Sequence, residues 1–483
     1  MEPADFAGAR VVVAGLGQTG RAAVQGLADL GAHVLAVDSR PQMADHADLP
    51  AGVQVRTDPD WGVLAEAALG QRPDVVIASP GLAPSTPLLQ AVERARVPIW
   101  SEVELAWRLS PPGLPWLTLT GTNGKTTTVL MLASMLRAAG LHAPAVGNVG
   151  TSIITTVLGS RGSERPLRAL AVELSSFQLH YTYSLAARAS ACLNLAPDHL
   201  DWHGSAAAYA ADKARIYQHT TSACVYNEQD PATRKMVEGA DVREGARAVG
   251  FTLTVPSVGQ VGVVDDILVD RAFHAQRRTH ARELAAVADL EHLGAADPAS
   301  HQVGNALAAA ALALAADVEP AHIREGLRSV APAAHRIEPV ATRDGVRYIN
   351  DSKATNPHAA AASLLAQPLG RVVWIAGGLA KGTDLSPLVE RAADRLRAVV
   401  VIGTDPAPVL AALDRHAGSL PRVVVAAEDT DPMHRAVQHA ADLARPGDVV
   451  LLAPACASFD QFRSYTARGD AFTAAVTDLR GRR

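Results

Sequence analysis

The chain has 483 residues, 48% of them apolar and 19% charged, with a net charge of −5 at neutral pH. That length exceeds one compact core and that composition is globular, so roughly two to four domains are expected and a disordered chain is excluded. The mild negative balance, with no Lys/Arg block, excludes a nucleic-acid surface.

Three cysteines, Cys192, Cys224 and Cys456, are odd in number and scattered, which fits a reducing cytoplasm better than a disulfide framework or a metal cluster. The opening MEPADFAGAR lacks a basic region followed by an apolar run, so no secretion signal is expected. Apolar stretches such as VGNALAAAALALAAD are too short for a membrane span.

The first segment, RVVVAGLGQTGRAAVQGLADLGAHVLAVDSR, reads as strand, glycine turn, helix, then a second strand from His33 to Val37 that ends at Asp38. Gly15, Gly17 and Gly20 form G-x-G-x-x-G after the strand. Asp38 follows about twenty residues on, where dinucleotide folds place a ribose-binding acid. A tight turn, close backbone approach and a helix N-terminus suit any nucleotide diphosphate, so NAD and other nucleotides both remain open. PDVVIASPG adds another buried parallel strand, and SPPGLP (110–115) a linker.

The second segment starts with WLTLTGTNGKTTTVLMLASMLRAAG, again strand, glycine loop, helix. The strict phosphate loop G-x-x-x-x-G-K-[ST] would need glycine at position 119, where this chain has Leu119, so the loop is shortened. Gly121, Thr122, Asn123, Gly124, Lys125 and Thr126 still form an anion nest at a helix start. Lys125 can reach the β- and γ-phosphates of a nucleotide, and the Thr126 hydroxyl can ligate Mg²⁺. LRALAVELSS ends at Glu173, an acid costly to bury unless paired or near a metal. ASACLNLAPDHLDWHG exposes Asp198, His199 and Asp201, and ADKARIY puts Lys213 on a helix. Ligands gather at such strand ends. From Val249 to Ser300 we expect a β-ribbon, then a helix over RRTHARELAAVADLEHL.

The third segment, from APAAHRIEPV, carries RVVWIAGG, RAVVVIG, RVVVAA and DVVLLAPA as buried strands with helices between them. Near-continuous apolar strands in β-α alternation predict parallel sheets covered on both faces. The expected fold is therefore α/β: three consecutive domains over 1–112, 113–331 and 332–483, the first and third Rossmann-like and the central one of P-loop type. Cys456 reads as a small residue in a tight loop rather than a nucleophile.

At this point the motifs acquire a family likeness. GTNGKTT resembles the ATP loop of the Mur ligases and folylpolyglutamate synthases. ELSSFQL (173–179), NDSKATNP (350–357), GGLAKGTD (377–384) and LLAPACASFDQF (451–462) are similar to Mur ligase motifs, in order, over nearly the whole chain outside 251–300. Within that family they resemble the branch that adds D-glutamate to UDP-N-acetylmuramoyl-L-alanine in cytoplasmic peptidoglycan precursor synthesis. The resemblance implies an ATP-dependent amide ligase acting through an acyl phosphate, as a monomer on small molecules.

Carried over residue by residue, the likeness implies an ATP site of Gly121, Thr122, Asn123, Gly124, Lys125, Thr126 and Thr127, with Asn305 and Arg336 around base and phosphates and Asp351 near the ribose. Thr126 and Glu173 would hold one Mg²⁺ and His199 a second, with Lys213 as a carbamylated metal ligand; Lys125, His199 and Lys213 are the implied catalytic residues. The first glycine loop would then bind UDP rather than NAD, through Gly15, Leu16, Gln18 and Thr19, with Asp38, Ser39, Arg40, Ser79 and Gly81 near the uridine. Asn148 and Ser175 would lie by the nucleotide-sugar substrate. Lys353, Thr355, Lys381, Ser458 and Phe459 would receive D-glutamate. Gln302, Phe459 and Tyr465 depart from the residues usual in the family at those positions.

Overall fold

The structure is a computed structural model and describes residues 3–44, 49–294, 297, 299–331, 335–380, 382–427 and 429–479. Lys381 therefore lies outside the described residues. The strands of the described residues form three sheets, and the chain divides into two compact units, residues 1–331 and 332–483.

The first unit contains two of the sheets. One is five-stranded and wholly parallel, in the order Gln54–Thr57, His33–Asp38, Arg10–Ala14, Val75–Ala78, Ile99–Ser101. Its central strands are continuous apolar runs because helices cover both faces. Val11, Val12, Val13 and Ala14 are all buried, and each buried valine contributes about 1.5–3 kcal/mol. The order reverses between Arg10–Ala14 and Val75–Ala78, so the loops after these two strands meet at a topological switch point.

The second sheet has nine strands. Five parallel strands, ending at one edge, run Ala223–Asn227, Ala189–Cys192, Trp116–Thr120, Leu170–Glu173, Ala145–Gly147. Arg247–Phe251 continues the other edge in parallel, and Gln260–Val264, Ile267–Asp270 and Arg282–Ala286 complete it, the last two pairings antiparallel. Here the structure corrects the expected helix over 277–293. Arg282–Ala286 is a strand whose Leu284 and Ala285 enter the core, and Val287–Leu293 is a 3-10 helix. Pairing along the ribbon edge overrides the helical propensity of the stretch.

The SPPGLP turn is short, and side-chain bonds tie the first two sheets together beyond it. Ser101 Oγ lies 2.8 Å from Thr182 Oγ1, Gln178 Nε2 donates to Glu102 Oε1 at 2.7 Å, and Ser184 Oγ donates to Glu104 Oε1 at 2.6 Å.

The second unit holds a six-stranded sheet in the order Glu338–Arg343, Val346–Asn350, Val449–Leu452, Val372–Gly377, Leu396–Ile402, Arg422–Val424. All pairs are parallel except the first two strands, which form an antiparallel edge. Val373, Ile375, Val400 and Val450 pack on one face, Trp374, Val399 and Leu451 on the other.

Candidate active site

In the central sheet, the loops after Trp116–Thr120, Leu170–Glu173 and Ala189–Cys192 converge at the carboxyl ends of adjacent strands. The Gly121–Thr126 turn opens the helix Lys125–Ala138. Gly124 has φ +84°, and a Cβ there would stand 2.4 Å from Asn305 Oδ1, so only glycine lets Asn305 pack against the loop. Gln302 Oε1 accepts from Asn305 Nδ2 at 3.3 Å and orients that amide. Asn194, which the sequence reading did not single out, clasps the loop from below: its Oδ1 accepts from Asn123 N at 2.8 Å and its Nδ2 donates to Asn123 O at 3.1 Å.

Thr126 Oγ1 donates to Glu173 Oε2 at 2.8 Å, and Asn148 Nδ2 donates to the other carboxylate oxygen at 3.1 Å. Glu173 is buried, so this pairing answers the cost of burying the acid. Thr127 Oγ1 is buried with no hydrogen-bond partner among the described residues, at a loop whose N–H groups favour anions. His199 follows the next strand in the left-handed region (φ +52°), with Asp198 Oδ1 accepting its backbone N–H and the Phe177 ring 4.7 Å from its own. Among the described residues no group of three His, Cys, Asp or Glu is placed to hold a metal ion. The pair Thr126 and Glu173 fits one Mg²⁺ all the same, since that ion keeps several waters and takes substrate phosphates beside one or two protein groups.

Lys213 is 1% exposed, on the helix Ala206–Ala214, and its ammonium donates to Gly121 O at 2.9 Å and Thr120 Oγ1 at 3.2 Å. Lys125 donates to the same Gly121 carbonyl at 2.8 Å and to Thr122 O at 2.9 Å. Burial, then the neighbouring Lys125 cation, hold the Lys213 ammonium down to about 7. Asp198 and Glu173 act on it in the opposite direction.

Asp212, the residue before Lys213, anchors a network that the sequence reading missed. Its carboxylate accepts from Nδ1 of His180 and Nδ1 of His203, each at 2.9 Å. Nε2 of His203 lies 2.9 Å from Ser176 Oγ. With Nδ1–H turned to the carboxylate, Nε2 accepts from the Ser176 hydroxyl; burial keeps the ring below its ordinary protonation range. Ser175 is engaged in a capping box with Gln178 at the start of the same short helix.

At the switch point of the first sheet, Ser79 Oγ donates to Gly15 O at 2.9 Å, so the GLGQTG and SPG loops touch. A Cβ on Gly20 would fall 1.8 Å from Gly15 O, which explains the third glycine as helix–turn packing. Gln18 and Thr19 open the helix Gln18–Asp29. Asp38 is buried and accepts from Leu16 N at 2.7 Å and from Arg40 Nε and Nη2 at 2.9 Å each. Despite its burial, the Arg40 side chain and the Leu16 amide hold its carboxyl below the usual range. Asp38 and Ser79 thus hold the first glycine loop directly, Arg40 pairs with Asp38, Ser39 lies between that acid and base, and Gly81 follows two residues after Ser79.

In the second unit, Asp351, Lys353 and Thr355 follow the strand Val346–Asn350, and Ser458 and Phe459 follow Val449–Leu452, its neighbour in the sheet. Asp351 accepts from Ser363 Oγ and from Ile337 N, and burial raises its carboxyl to about 6. Arg336 sits between His335 and Ile337, both at positive φ, and its Nε is buried with no partner among the described residues. Lys353 Nζ lies 5.3 Å from the Tyr465 ring centroid, Ser458 is buried and Phe459 is 68% exposed. Arg468, also missed from sequence, is fully buried and donates to Ser352 O, Ser352 Oγ, Cys456 O and Ala457 O, stitching the two loops together. Cys456 is buried and its thiol is pushed up to about 11, which suits packing rather than nucleophilic chemistry.

Comparison with known proteins gives three family matches in chain order. A Mur ligase MurD-like N-terminal domain matches residues 9–101, a Mur ligase middle domain residues 119–313, and a Mur ligase glutamate ligase domain residues 335–456. The UDP-N-acetylmuramoylalanine–D-glutamate ligase of Streptomyces avermitilis is 53% identical over 480 residues, 98% of this chain and 99% of that protein. The ligase of the same name from Thermobifida fusca is 49% identical over 481 residues, 99% of this chain and 100% of that protein. Among solved structures, UDP-N-acetylmuramate–alanine ligase from Thermotoga maritima superposes with a TM-score of 0.56 at 16% identity, over 97% of this chain and 99% of that one, a likeness of fold.

Proposed function

The chain belongs to the Mur ligase family, and from that premise we infer that it joins D-glutamate to UDP-N-acetylmuramoyl-L-alanine at the expense of ATP, in peptidoglycan precursor synthesis. The observation that carries the reading is the Thr126–Glu173–Asn148 constellation beside the shortened phosphate loop. An oxidoreductase resting on the first glycine loop would leave those residues, and Lys213, without a task.

The loop N–H groups and Lys125 bind and orient the ATP phosphates. Asn305 lies against the loop, and Arg336 and Asp351 would also bind ATP, as the family likeness implies. The UDP-bearing substrate is bound by Gly15, Leu16, Gln18 and Thr19 on the switch-point loops. Asp38 holds Leu16 there, with Ser39, Arg40, Ser79 and Gly81 at the uridine end and Asn148 and Ser175 toward the reacting carboxylate. That carboxylate attacks the γ-phosphorus, ADP leaves, and the amine of D-glutamate displaces phosphate from the acyl phosphate to form the amide. Lys353, Thr355, Ser458 and Phe459, with Lys381, would recognise the amino acid, cations and hydroxyls suiting a dicarboxylate.

Mg²⁺, when bound, neutralises phosphate charge and aligns the reacting oxygens; Thr126 and Glu173 would hold one ion, and His199 with Lys213 a second. Lys213 can serve only once its charge is removed. Its burial and its crowding by Lys125 favour the neutral amine that captures carbon dioxide as a carbamate. No helix among the described residues is long and apolar enough to cross a membrane. From the family likeness, and not from that, we infer a monomer at work in the cytoplasm. The direct test is incorporation of labelled D-glutamate into the nucleotide product, dependent on ATP and absent with L-glutamate; equal incorporation of both enantiomers contradicts the reading.

A further inference from the structure

We propose that Ser176, His203 and Asp212 form a positioning clamp that sets Glu173, His199 and Lys213 in register for the metal and phosphates, an inference that rests on the Mg²⁺–ATP reading above. Each member lies within four residues of one of those three along the chain. Ser176 opens the short helix Ser176–His180, three residues after Glu173. His203 ends the helix Leu200–His203, whose N-cap is His199. Asp212 precedes Lys213, and neighbouring helix residues point about 100° apart, so Lys213 reaches Gly121 while Asp212 faces the two histidines.

The Ser–His–Asp order has the hydrogen-bond pattern of a hydrolytic triad. Ser176 is 2% exposed, however, and His203 is enclosed by the rings of Phe177, Trp202 and Tyr209, so no substrate reaches the hydroxyl. What remains is rigidity. The His203 ring bonds at both nitrogens and is packed on three sides, and Asp212 also binds His180 and lies 3.5 Å from Arg215 Nε. Phe177 packs on the His199 ring and Asp198 accepts its backbone N–H, and the clamp fixes the far end of the four-residue helix that His199 begins in a left-handed turn. Groups that orient ligands in this way, when removed, typically cost about 10–100-fold in metal affinity or activity.

The experiment compares wild type with Asp212→Asn, Ser176→Ala and the double variant. Mn²⁺ binding in the presence of ATP is read by electron paramagnetic resonance, KM for the UDP substrate is measured alongside, and melting temperature confirms folding. The clamp predicts Mn²⁺ affinity lowered about 10-fold or more in each single variant, with kcat lost and KM for the UDP substrate within about twofold of wild type. The double variant should lose no more than the worse single one, since the residues act as one unit. Folded variants with wild-type Mn²⁺ affinity overturn the clamp; if Asp212→Asn does not fold, Ser176→Ala decides the matter. Wild-type protein that binds Mn²⁺–ATP but makes no amide overturns the ligase reading alone, while the metal affinities still judge the clamp.

Discussion

The side-chain ammonium groups of Lys125 and Lys213 converge on one acceptor, the carbonyl oxygen of Gly121, at 2.8 and 2.9 Å. Two cations on one carbonyl repel each other, and the buried one yields. Lys213 is the more buried, and burial followed by the Lys125 charge weakens its ammonium to about 7. A lysine that sheds its proton near neutrality is a nucleophile for carbon dioxide, whereas the more accessible Lys125 opens the helix at the phosphate loop. The two lysines therefore divide one local field into two tasks.

Lys125→Ala should abolish ATP-dependent turnover, a loss of at least about 100-fold in kcat, because the phosphate charge loses its main positioned cation. Steady-state phosphate release checks this, and a rate near wild type would remove the loop from the mechanism.

Lys213→Ala should be inactive and regain part of its rate with short-chain carboxylates, which restore an anionic oxygen in the vacated space. Wild-type protein held under carbon dioxide should gain the mass of one carbon dioxide in intact-mass analysis, and Lys213→Ala should not. The gain should fall off by about tenfold per pH unit below about 7, where the Lys213 amine becomes protonated. Inactivity without rescue and without the mass gain would leave Lys213 a merely buried cation.

Glu173→Gln keeps the shape of the site and removes its charge. The glutamine oxygen can accept from Asn148 while its NH2 donates to the Thr126 hydroxyl, so folding should hold, while the Mg²⁺ concentration for half-maximal rate should rise by about 10-fold or more. An unchanged Mg²⁺ dependence would take Glu173 out of the metal site.

Asp351→Asn tests a buried acid on a separate element. Its folded carboxyl titrates at about 6 against an ordinary 3.8, so the folded state holds the proton more tightly than the unfolded one. That contribution is complete below the ordinary value and is lost as pH rises through about 6. The neutral variant should gain stability over wild type as pH rises, by up to about 3 kcal/mol above that point, while KM for ATP increases. Thermal melts from acid to neutral pH check it; a difference independent of pH would contradict the assigned titration.

Arg468→Met should destabilise the second unit by roughly 2–5 kcal/mol, because the buried carbonyls of Ser352 and Cys456 lose their donor. KM for D-glutamate should rise with it, since the loops carrying Lys353 and Ser458 lose their stitch. Calorimetry with kinetics checks both, and a variant unchanged in each would show that Arg468 does not hold the two loops.

The loops that meet nucleotide were legible because their chemistry is local. Gly124, Lys125 and Thr126 adjoin one another, and Glu173 ends a strand whose apolar run makes a charged residue conspicuous. Strand patterning located the parallel cores for the same reason: Val11–Ala14 and Val449–Leu452 read as buried at their own positions. The residues that hold these loops were not legible. Asn194 reaches Asn123 across 71 positions, Ser176 reaches His203 across 27, and Arg468 reaches Ser352 across 116. Nothing in the flanking sequence of an Asn, His or Arg states which distant group it will bond. Residues 282–286 failed differently: RELAA is a sound helix former alone, and only pairing with Ile267–Asp270 makes it a strand.

The most direct measurement is phosphate release from Mg²⁺–ATP by the purified protein with UDP-N-acetylmuramoyl-L-alanine and D-glutamate, omitting each component in turn, with L-glutamate run in parallel. Phosphate formed only in the complete mixture, and not with L-glutamate, is the predicted result. Phosphate released without either acceptor, or none in the complete mixture, would contradict the ligase.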